Sequence, residues 1–266
     1  MASNEYPKAP LSTVKRLNNR GVYDYKTIHN IINATSVLHV AFNPAPSSEA
    51  DPFPAILPML GCTGSFNSPN ADPAAGPLDL YLHGYVSSRL MKQPNAPDAA
   101  AEGTPVTVAA TLMDGLVLAL TPNHHSCNYR SVVAFGYAEA VTDEAEKLYA
   151  MELITDNMLP ARWANSRIPP NRAEMQSTSV LRVRVAHASA KVRAGGPGED
   201  RGDLKDEELR KRVWTGVVPS WTQWGDPTPA RENRAGEVPE YVEQWRNVQN
   251  RDGRVGAYEA AKEAEE

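Results

Sequence analysis

The sequence predicts a mainly β fold with added helices (β+α), in which short antiparallel strands close into a barrel. Short apolar or alternating runs follow one another between turn-rich segments, and one helical segment interrupts them in mid-chain. The strand–helix alternation of dinucleotide-binding sheets does not occur. The sequence also lacks GxGxxG and GxxxxGK[ST], which excludes the Rossmann and P-loop ways of holding a phosphate.

The composition predicts a cytoplasmic protein that binds neither nucleic acid nor membranes. The 266 residues carry a net charge of −5, whereas a general nucleic-acid binder usually needs a basic face. The two cysteines, Cys62 and Cys127, match no metal-ligand spacing and cannot build a disulfide framework. The N-terminus has no apolar signal core, and no uncharged run is long enough to span a bilayer.

The first segments are predicted to be a polar arm and a short helix. Residues 1–25 are mostly polar and contain two prolines. Asp24 is a suitable N-cap for a helix over residues 25–34, in which isoleucines recur at helical spacing.

Three strands are predicted next. Residues 36–42 are β-rich and nearly continuously apolar. Residues 55–60 are similar, but Pro58 predicts an edge position or a bulge. Residues 62–77 are rich in Gly, Pro, Asn and Ser and are expected to be a loop, and the alternating run 78–86 is expected to be a strand.

A hairpin and a further strand are predicted in the middle of the chain. The apolar runs 106–112 and 116–120 are joined through Asp114-Gly115, and Asp-Gly between apolar runs is a strong hairpin signal. Residues 130–141 form another strand pattern, in which Gly136 indicates a bulge or a close approach of two backbones.

A helix and a further strand are predicted after residue 141. The helix ends at Met158 and is capped by Thr142 or Asp143. Residues 180–192 alternate clearly between apolar and basic side chains and predict a strand. Residues 195–212 are charged and begin Gly-rich, which predicts a loop that leads into a short helix.

One polar cluster at a predicted strand end suits a phosphate group. The strand ends near His83; Ser87 and Ser88 then precede Arg89, and Lys92 lies three residues further on. Hydroxyls, free backbone N–H groups and a guanidinium at a strand end are typical of a site for a phosphate dianion. The alternative interpretation is a polar loop with a solvated arginine.

Two further segments could contact a planar ligand. Tyr129 offers a flat ring, and the neighbouring Arg130 and Ser131 offer hydrogen-bond donors. Trp214 lies in a segment with Gly and Pro after the last long predicted strand and could pack against a heterocycle. The structural alternatives are a core tyrosine followed by a surface charge, and a tryptophan that covers a barrel end.

The histidines predict neither a metal site nor a hydrolase triad. His39 lies in an apolar strand and is expected to be a satisfied core histidine. His124 and His125 lie in a loop with no Cys or carboxylate at a familiar ligand spacing, so no metal site is predicted. No GxSxG elbow occurs, so Ser-His-Asp catalysis is not expected.

Five segments together resemble the FMN-binding split-barrel superfamily, the fold of pyridoxamine 5′-phosphate oxidase. They are RLNNRGVYD, LYLHGYVSSRL, NYRSVVAFGYAEAV, SAKVRAGGP and WTGVVP, at residues 16–24, 80–90, 128–141, 189–197 and 214–219. Within the superfamily the chain is most similar to the flavin-nucleotide-binding branch that includes the nitroimidazole-resistance (Nim) proteins. The five segments, in this order and with this spacing, extend over most of the chain.

The resemblance implies a six-stranded antiparallel split β-barrel with flanking helices and a partly helical C-terminal tail. The chain would comprise an N-terminal arm (1–25), an FMN-binding split-barrel domain (26–225) and a C-terminal extension (226–266). Residues 239–248 are the amphipathic helical candidate of the extension. The resemblance also implies a homodimer with FMN at the subunit interface.

The resemblance further implies which residues hold FMN. The serines and the arginine of the polar cluster are similar to the segment that binds the FMN phosphate, and Trp214 is similar to the flavin-side tryptophan of the oxidase. The expected cofactor-binding residues are Pro58, Met59, Leu60, His83, Ser87, Ser88, Arg89, Lys92, Tyr129, Arg130, Ser131 and Trp214. The oxidase's C-terminal Arg/His set for the substrate phosphate is not visible, so pyridoxamine phosphate is not the expected substrate.

The expected function is that of an FMN-dependent oxidoreductase, a reductase or an oxidase, acting on a small planar organic molecule. His83 and Tyr129 are the expected catalytic residues, and NAD(P)H is a candidate electron donor. The alternatives are a non-catalytic flavin carrier or sensor, and a split barrel that binds haem or a deazaflavin. A haem would need an axial ligand, for which His39, His83, His124 and His125 are the candidates.

Overall fold

The computed structural model describes residues 4–44, 53–95 and 102–262. Its strands are Gly21–Val22 (β1), Leu38–Phe42 (β2), Ala55–Gly64 (β3), Asp79–Tyr85 (β4), Thr104–Leu118 (β5), Ser126–Ala140 (β6), Thr178–Arg193 (β7) and Gly216–Pro219 (β8). Its helices are Tyr25–Ala34 (α1), Arg89–Lys92 (α2), Glu144–Met158 (α3), Arg172–Ser177 (α4), Glu207–Arg212 (α5) and Glu240–Ala261 (α6).

Six of the strands close into an antiparallel barrel. Following hydrogen-bonded neighbours, the order is β7, β4, β3, β2, β5 and β6, and β6 pairs back onto β7. β1 adds to β7, and β8 adds to β5. The six-stranded barrel with flanking helices that the sequence predicts is therefore confirmed.

The chain divides into two compact units. The first comprises Met1–Thr111 and Ser131–Lys191, and the second comprises Leu112–Arg130 and Val192–Glu266. β5 and β6 thus each contribute residues to both units. The domain boundaries expected after residues 25 and 225 stay predictions.

The helices of the first unit begin where local capping signals predict. Asp24 accepts a hydrogen bond from the Thr27 N–H at 2.8 Å and starts α1. Asp143 does the same for the Glu146 N–H at 2.7 Å and starts α3. The buried face of α1 packs into the main apolar core of the unit with Ile28, Ile31 and Ile32.

The N-terminal arm belongs to the first unit and packs against its helix α1. Tyr6 is buried, and its hydroxyl lies 2.8 Å from Nε2 of His29 in α1. Nδ1 of the same ring lies 2.9 Å from the Pro73 carbonyl oxygen. The buried imidazole therefore has a partner on both nitrogens, as a neutral ring requires.

Pro58 lies in the part of β3 that pairs on one side. β3 pairs with β2 over residues 55–59 and with β4 over residues 60–64. Pro58 is opposite His39 and outside the stretch paired with β4, so its missing N–H removes no bond of that ladder. This agrees with the edge-type position that the proline predicts.

His39 is exposed, and the prediction of a core histidine is wrong. Leu38 and Val40 on either side are fully buried in the core. Because successive side chains of a strand point to opposite faces, His39 points to the outer face of the barrel.

The predicted loop boundary at Cys62 is also wrong, because β3 continues to Gly64. Cys62 is buried in a second apolar cluster beneath α3, and burial raises the pKa of its thiol to about 12. A Cβ on Gly61 would lie 2.5 Å from the Tyr81 carbonyl oxygen, and one on Gly64 would lie 2.5 Å from Leu153 of α3. The small residues that suggest a loop therefore permit close packing.

The hairpin predicted at Asp114-Gly115 does not form, because β5 continues through both residues. Asp114 is buried and accepts hydrogen bonds from Nε and Nη2 of Arg130, at 2.9 and 2.8 Å. Its carbonyl accepts from the Ser220 N–H at 3.0 Å, and Gly115 pairs with β8. A Cβ on Gly115 would lie 2.8 Å from the Val218 carbonyl oxygen. The glycine therefore allows β5 and β8 to lie close together and does not form a turn.

The second unit is completed by α6, which is far longer than the predicted segment 239–248. Its end is held by side-chain and backbone donors. The Ala260 carbonyl accepts from the Gly195 N–H at 2.8 Å and from the Asn128 amide at 2.9 Å. These bonds satisfy a carbonyl that a helix end would otherwise leave free, and they explain why the helix continues to Ala261.

No helix among the residues that the structure describes is long and apolar enough to cross a membrane.

Candidate functional site

The turn between β4 and α2 has a fixed backbone. The Val86 N–H donates to the Ser177 carbonyl at 3.0 Å. The Ser88 N–H donates to the Tyr85 carbonyl at 2.9 Å. The polar cluster predicted for a phosphate therefore lies on a defined turn at the end of a barrel strand.

The side chains of this turn divide into anchors and free polar groups. Leu90 and Met91 of α2 are buried in the core of the first unit, whereas Arg89 and Lys92 are exposed. Within the described part of the chain, neither cation forms an ion pair. The short helix thus holds two uncompensated positive charges at the surface, next to Ser87 and Ser88.

The hydroxyl of Ser88 is buried and has no hydrogen-bond partner among the described residues. Ser88 is the N-cap residue of α2, but its side chain does not bond to the helix. Leaving a buried polar group unsatisfied costs about 1–3 kcal/mol. A ligand oxygen at this turn would satisfy the hydroxyl.

His83 lies beside Leu60, two residues before the end of β4. The two residues are paired across β3 and β4, and the imidazole is half-buried. Its Nδ1 is buried without a partner in the described residues. Burial lowers the pKa of His83, which keeps the ring neutral at neutral pH, with one nitrogen able to accept a proton and the other able to donate a hydrogen bond.

Side chains alternate between two faces along β3. Met59 is only 8% exposed and belongs to the core, whereas Pro58 is exposed on the outer face. The Met59 side chain therefore points away from the outer face of β3 and could contact a ligand there only if the strand were turned over. Leu60 shares the outer face with Pro58 and is half-buried.

The outer face of β2, β3 and β5 is apolar around one imidazole. His39 lies between Pro58 on β3 and Ala109 on β5, its two register partners. Ile56, two residues from Pro58 on the same face, is 60% exposed. The exposed His39 ring therefore has apolar neighbours on this face.

The other predicted site residues are divided between the units. Tyr129 is half-buried and belongs to the second unit, in which Arg130 is bound to Asp114. Trp214 is also in the second unit, is 65% exposed, and covers Gly216 with its ring. Ser131 belongs to the first unit, where its hydroxyl donates to the Lys191 carbonyl at 3.2 Å.

The structure thus brings together one part of the predicted site. Leu60, His83 and the turn at residues 87–92 are on neighbouring strands of the first unit. The cofactor-binding set as a whole, and the catalytic roles of His83 and Tyr129, stay predictions.

Two polar groups of the structure were not singled out from the sequence. Asp114 binds Arg130, but its Asp-Gly context suggests a turn. His187 of β7 stacks on Phe135 with ring centroids 4.8 Å apart, and its buried Nδ1 has no partner among the described residues. A lone histidine in an alternating strand gave no signal for this arrangement.

The described residues contain no group of three or more His, Cys, Asp or Glu side chains that could hold a metal ion. In the second unit, Nδ1 of His124 lies 3.9 Å from a carboxylate oxygen of Glu199. Nδ1 of His125 accepts from the Ala119 N–H at 2.9 Å.

Comparison with protein families gives one match. The model of the family described as pyridoxamine 5′-phosphate oxidase matches residues 24–192. None of the curated proteins compared with the chain matches it.

Comparison with solved structures gives similar proteins, two of which match nearly the full length of the chain. The flavocytochrome Anf3 from Azotobacter vinelandii is 28% identical over 89% of this chain and 96% of its own, with a TM-score of 0.69. A FAD- and haem-binding protein from Mycobacterium smegmatis is 26% identical over 85% and 96%, with a TM-score of 0.67. A protein from Bacteroides thetaiotaomicron, described as a candidate for 5-nitroimidazole antibiotic resistance, is 19% identical over 65% and 86%, with a TM-score of 0.45.

Proposed function

Because this chain belongs to the pyridoxamine 5′-phosphate oxidase family, we propose that it binds a flavin on the first unit and uses it for oxidation–reduction. The observation that carries the proposal is the buried, unpartnered hydroxyl of Ser88 beside the exposed Arg89 and Lys92. The two full-length structural relatives, which are described as a flavocytochrome and a FAD- and haem-binding protein, support it.

The residues at the turn fit the phosphate of a flavin. The Ser87 and Ser88 hydroxyls can donate to phosphate oxygens. The Arg89 guanidinium can donate two parallel hydrogen bonds to them, and Lys92 adds a second positive charge. The fixed backbone of the turn means that little freedom is lost when a phosphate binds.

The same turn fits FMN and FAD, because both carry a phosphate on the ribityl chain. FMN is the smallest flavin that satisfies the site, and we propose it as the cofactor. FAD is the alternative, since a structural relative is described as binding it.

The protein's own part in the reaction is positioning and proton handling. A bound flavin supplies hydride or single-electron transfer to a small planar substrate. His83 is neutral near pH 7, so it can accept a proton from a substrate group and return it once the ring is protonated. In this proposal Tyr129 contributes an aromatic wall.

The test is to purify the protein, record its absorbance, release the bound cofactor by denaturation and identify it by chromatography. A yellow protein that releases FMN or FAD in about one equivalent supports the proposal. Anaerobic addition of NAD(P)H then separates an enzyme from a carrier, because the flavin bleaches only when the donor reduces it. A colourless protein that takes up neither flavin would refute the proposal.

A haem is a second candidate, favoured by the full-length similarity to two haem-associated proteins. The first unit offers two histidines that fit an axial ligand. His39 is exposed among apolar neighbours on the outer face of the barrel, and His83 has a buried ring nitrogen without a partner among the described residues and a neutral ring. His29 is held by Tyr6 and by the Pro73 carbonyl and does not fit. A haem here would supply single-electron chemistry.

The haem candidate is tested by the Soret band of protein expressed with a haem precursor. Loss of the band in His39→Ala or His83→Ala, with flavin content kept, would identify the ligand. A His125→Ala control should keep the band, since that ring belongs to the second unit. Absence of a Soret band under these conditions excludes haem and leaves the flavin proposal intact.

A further inference from the structure

The second unit contains a groove of about 740 Å³ between α6 and residues 221–223. This volume lies in the range of about 300–1,000 Å³ that is typical of small-molecule sites. Arg251, Arg254 and Tyr258 line one wall from one face of α6, because residues three, four and seven apart are neighbours on a helix surface. Trp221 lines the opposite wall.

The groove has a fixed floor. Asn250 accepts from the Trp224 N–H at 2.7 Å and donates to the Trp224 carbonyl at 2.9 Å, which ties the 221–224 segment to α6. A Cβ on Gly253 would lie 3.6 Å from Trp221, so the helix and the tryptophan are in close contact. The walls are therefore held in place before any ligand arrives.

Two aromatic rings and a guanidinium meet in the groove. The Trp221 and Tyr258 rings have centroids 6.2 Å apart and are inclined by 47°. They form two sides of a corner and are too close to hold another ring between them. The Arg254 guanidinium carbon is 5.7 Å from the Tyr258 ring centroid. Tyr258 is 49% exposed, so a planar base can stack on the exposed part of its ring with a cation beside it.

The charges of the groove suit an anion next to such a base. Arg251 is paired with Asp252 at 2.8 Å, and both side chains are exposed. Glu259, the one acidic residue among the described residues that line the groove, is paired with Lys262. Exposed pairs of this kind contribute little, so a phosphate can compete for Arg251 at small cost. Arg254 is already beside the aromatic face.

We propose that this groove binds an adenine nucleotide, with the base on the Trp221 or Tyr258 ring and the phosphates at Arg251 and Arg254. The identity of the physiological ligand rests on the proposed flavin function. In that setting the nucleotide is the adenylate half of NAD(P)H, the electron donor. Nucleotide binding itself is independent of the flavin site.

The test is calorimetric titration of the purified full chain with ADP and with adenosine. ADP binds saturably, and adenosine binds at least about ten-fold more weakly because it lacks the phosphates. Tyr258→Leu weakens ADP binding about five- to a hundred-fold, whereas Tyr258→Phe, which keeps the ring, retains it. Arg254→Gln weakens ADP binding at least about ten-fold, and Arg231→Gln, an exposed arginine outside the groove, does not.

Flavin loading separates the groove assignment from the proposed function. The nucleotide site is argued from the second unit alone, so ADP should bind equally to the flavin-free and the flavin-loaded protein. ADP binding by a protein that takes up no flavin would sink the proposed function and leave the groove assignment standing.

Two outcomes overturn the groove assignment. One is the absence of saturable ADP binding by the wild-type chain in every flavin state. The other is ADP binding that Tyr258→Leu and Arg254→Gln leave unchanged while Tyr258→Leu alters the sedimentation coefficient, which would make this surface a subunit interface.

Discussion

The hydroxyl of Ser88 shows what a single buried atom can indicate about function. A serine at a helix N-cap normally bonds to the backbone of its own helix, and this one does not. Its oxygen is buried without a partner in the described residues, whereas the cations beside it are exposed. The local structure is therefore less stable than it could be, in the place where the proposed phosphate would compensate.

Replacing Arg89 with alanine should weaken flavin binding about ten- to a hundred-fold. The expected loss is about 1.5–3 kcal/mol, the contribution of a hydrogen bond to a charged group. Flavin fluorescence titration of the flavin-free protein measures it. Arg172→Ala, which removes an exposed arginine from α4 in the same unit, is the matched control and should bind as the wild type does. Equal affinities in the two variants would remove Arg89 from the site.

The stability of the protein should fall as the pH drops below about 6.5, the ordinary pKa of histidine. Burial lowers the pKa of both His83 and His29 in the folded state. Below pH 6.5 the unfolded chain therefore binds more protons than the folded chain, which favours unfolding. Thermal unfolding across this pH range measures the decrease.

His83→Gln should make that decrease shallower, because one of the two groups no longer titrates. If His83→Gln and the wild type lose stability in parallel, His83 does not contribute. Turnover measured on the same variant separates roles: lost activity with flavin retained supports a catalytic His83.

At the level of elements, the signals that the sequence carries well are local. Asp24 and Asp143 cap helices through bonds to residues three positions away, and both caps are confirmed. Gly136 is a close approach, as predicted, because a Cβ there would collide with the Arg184 carbonyl oxygen of β7. The closed barrel also follows from successive strand patterns.

What the sequence could not provide depends on distant partners. The Asp114-Gly115 pair alone suggests a turn. In the structure Arg130 binds Asp114 and β8 pairs with Gly115, so both residues remain in a strand. Cys62 lies in a segment whose composition suggests a loop, whereas in the structure α3 covers it. For the candidate site, the phosphate turn could be predicted because it is contiguous in the chain. The division of Tyr129 and Trp214 into another unit could not, because no short-range pattern encodes it.

Gly256→Ala should stabilise α6. Gly256 is inside the helix, and a Cβ there would meet no atom within 4 Å. Glycine in a helix interior costs about 0.5–1 kcal/mol relative to alanine, so a gain of that size is expected. Chemical denaturation with helix content as the probe measures it. A neutral or negative effect would mean that the surface beside Gly256 is occupied in solution.

For the whole molecule, the exposed apolar face of the barrel is the feature that calls for a partner. Val37 is 42% exposed and Ile56 is 60% exposed, and His39 and Pro58 lie on the same side. We propose that two copies pair here with two-fold symmetry, burying more than about 2,000 Å² in total, as obligate dimers do.

Sedimentation velocity at micromolar concentration should give a dimer for the wild type and a monomer for Ile56→Glu. A carboxylate forced into an apolar interface is desolvated without a partner, which costs several kcal/mol. Leu11→Glu, at a still more exposed position in the N-terminal arm, should leave the dimer intact. A monomeric wild type would contradict the pairing.

The division of the chain into units also bears on how it is synthesised. The last segment of the first unit ends at Lys191, whereas the second unit joins Leu112–Arg130 to everything after that residue. On the ribosome, the first unit can acquire its native contacts while β8 and α6 are still being made. The Asn128 amide can form its hydrogen bond to the Ala260 carbonyl only after nearly the whole chain has been synthesised. A chain that terminates before α6 would therefore contain every segment of the first unit and only part of the second. The incomplete second unit would expose apolar surface, which chaperones and proteases recognise.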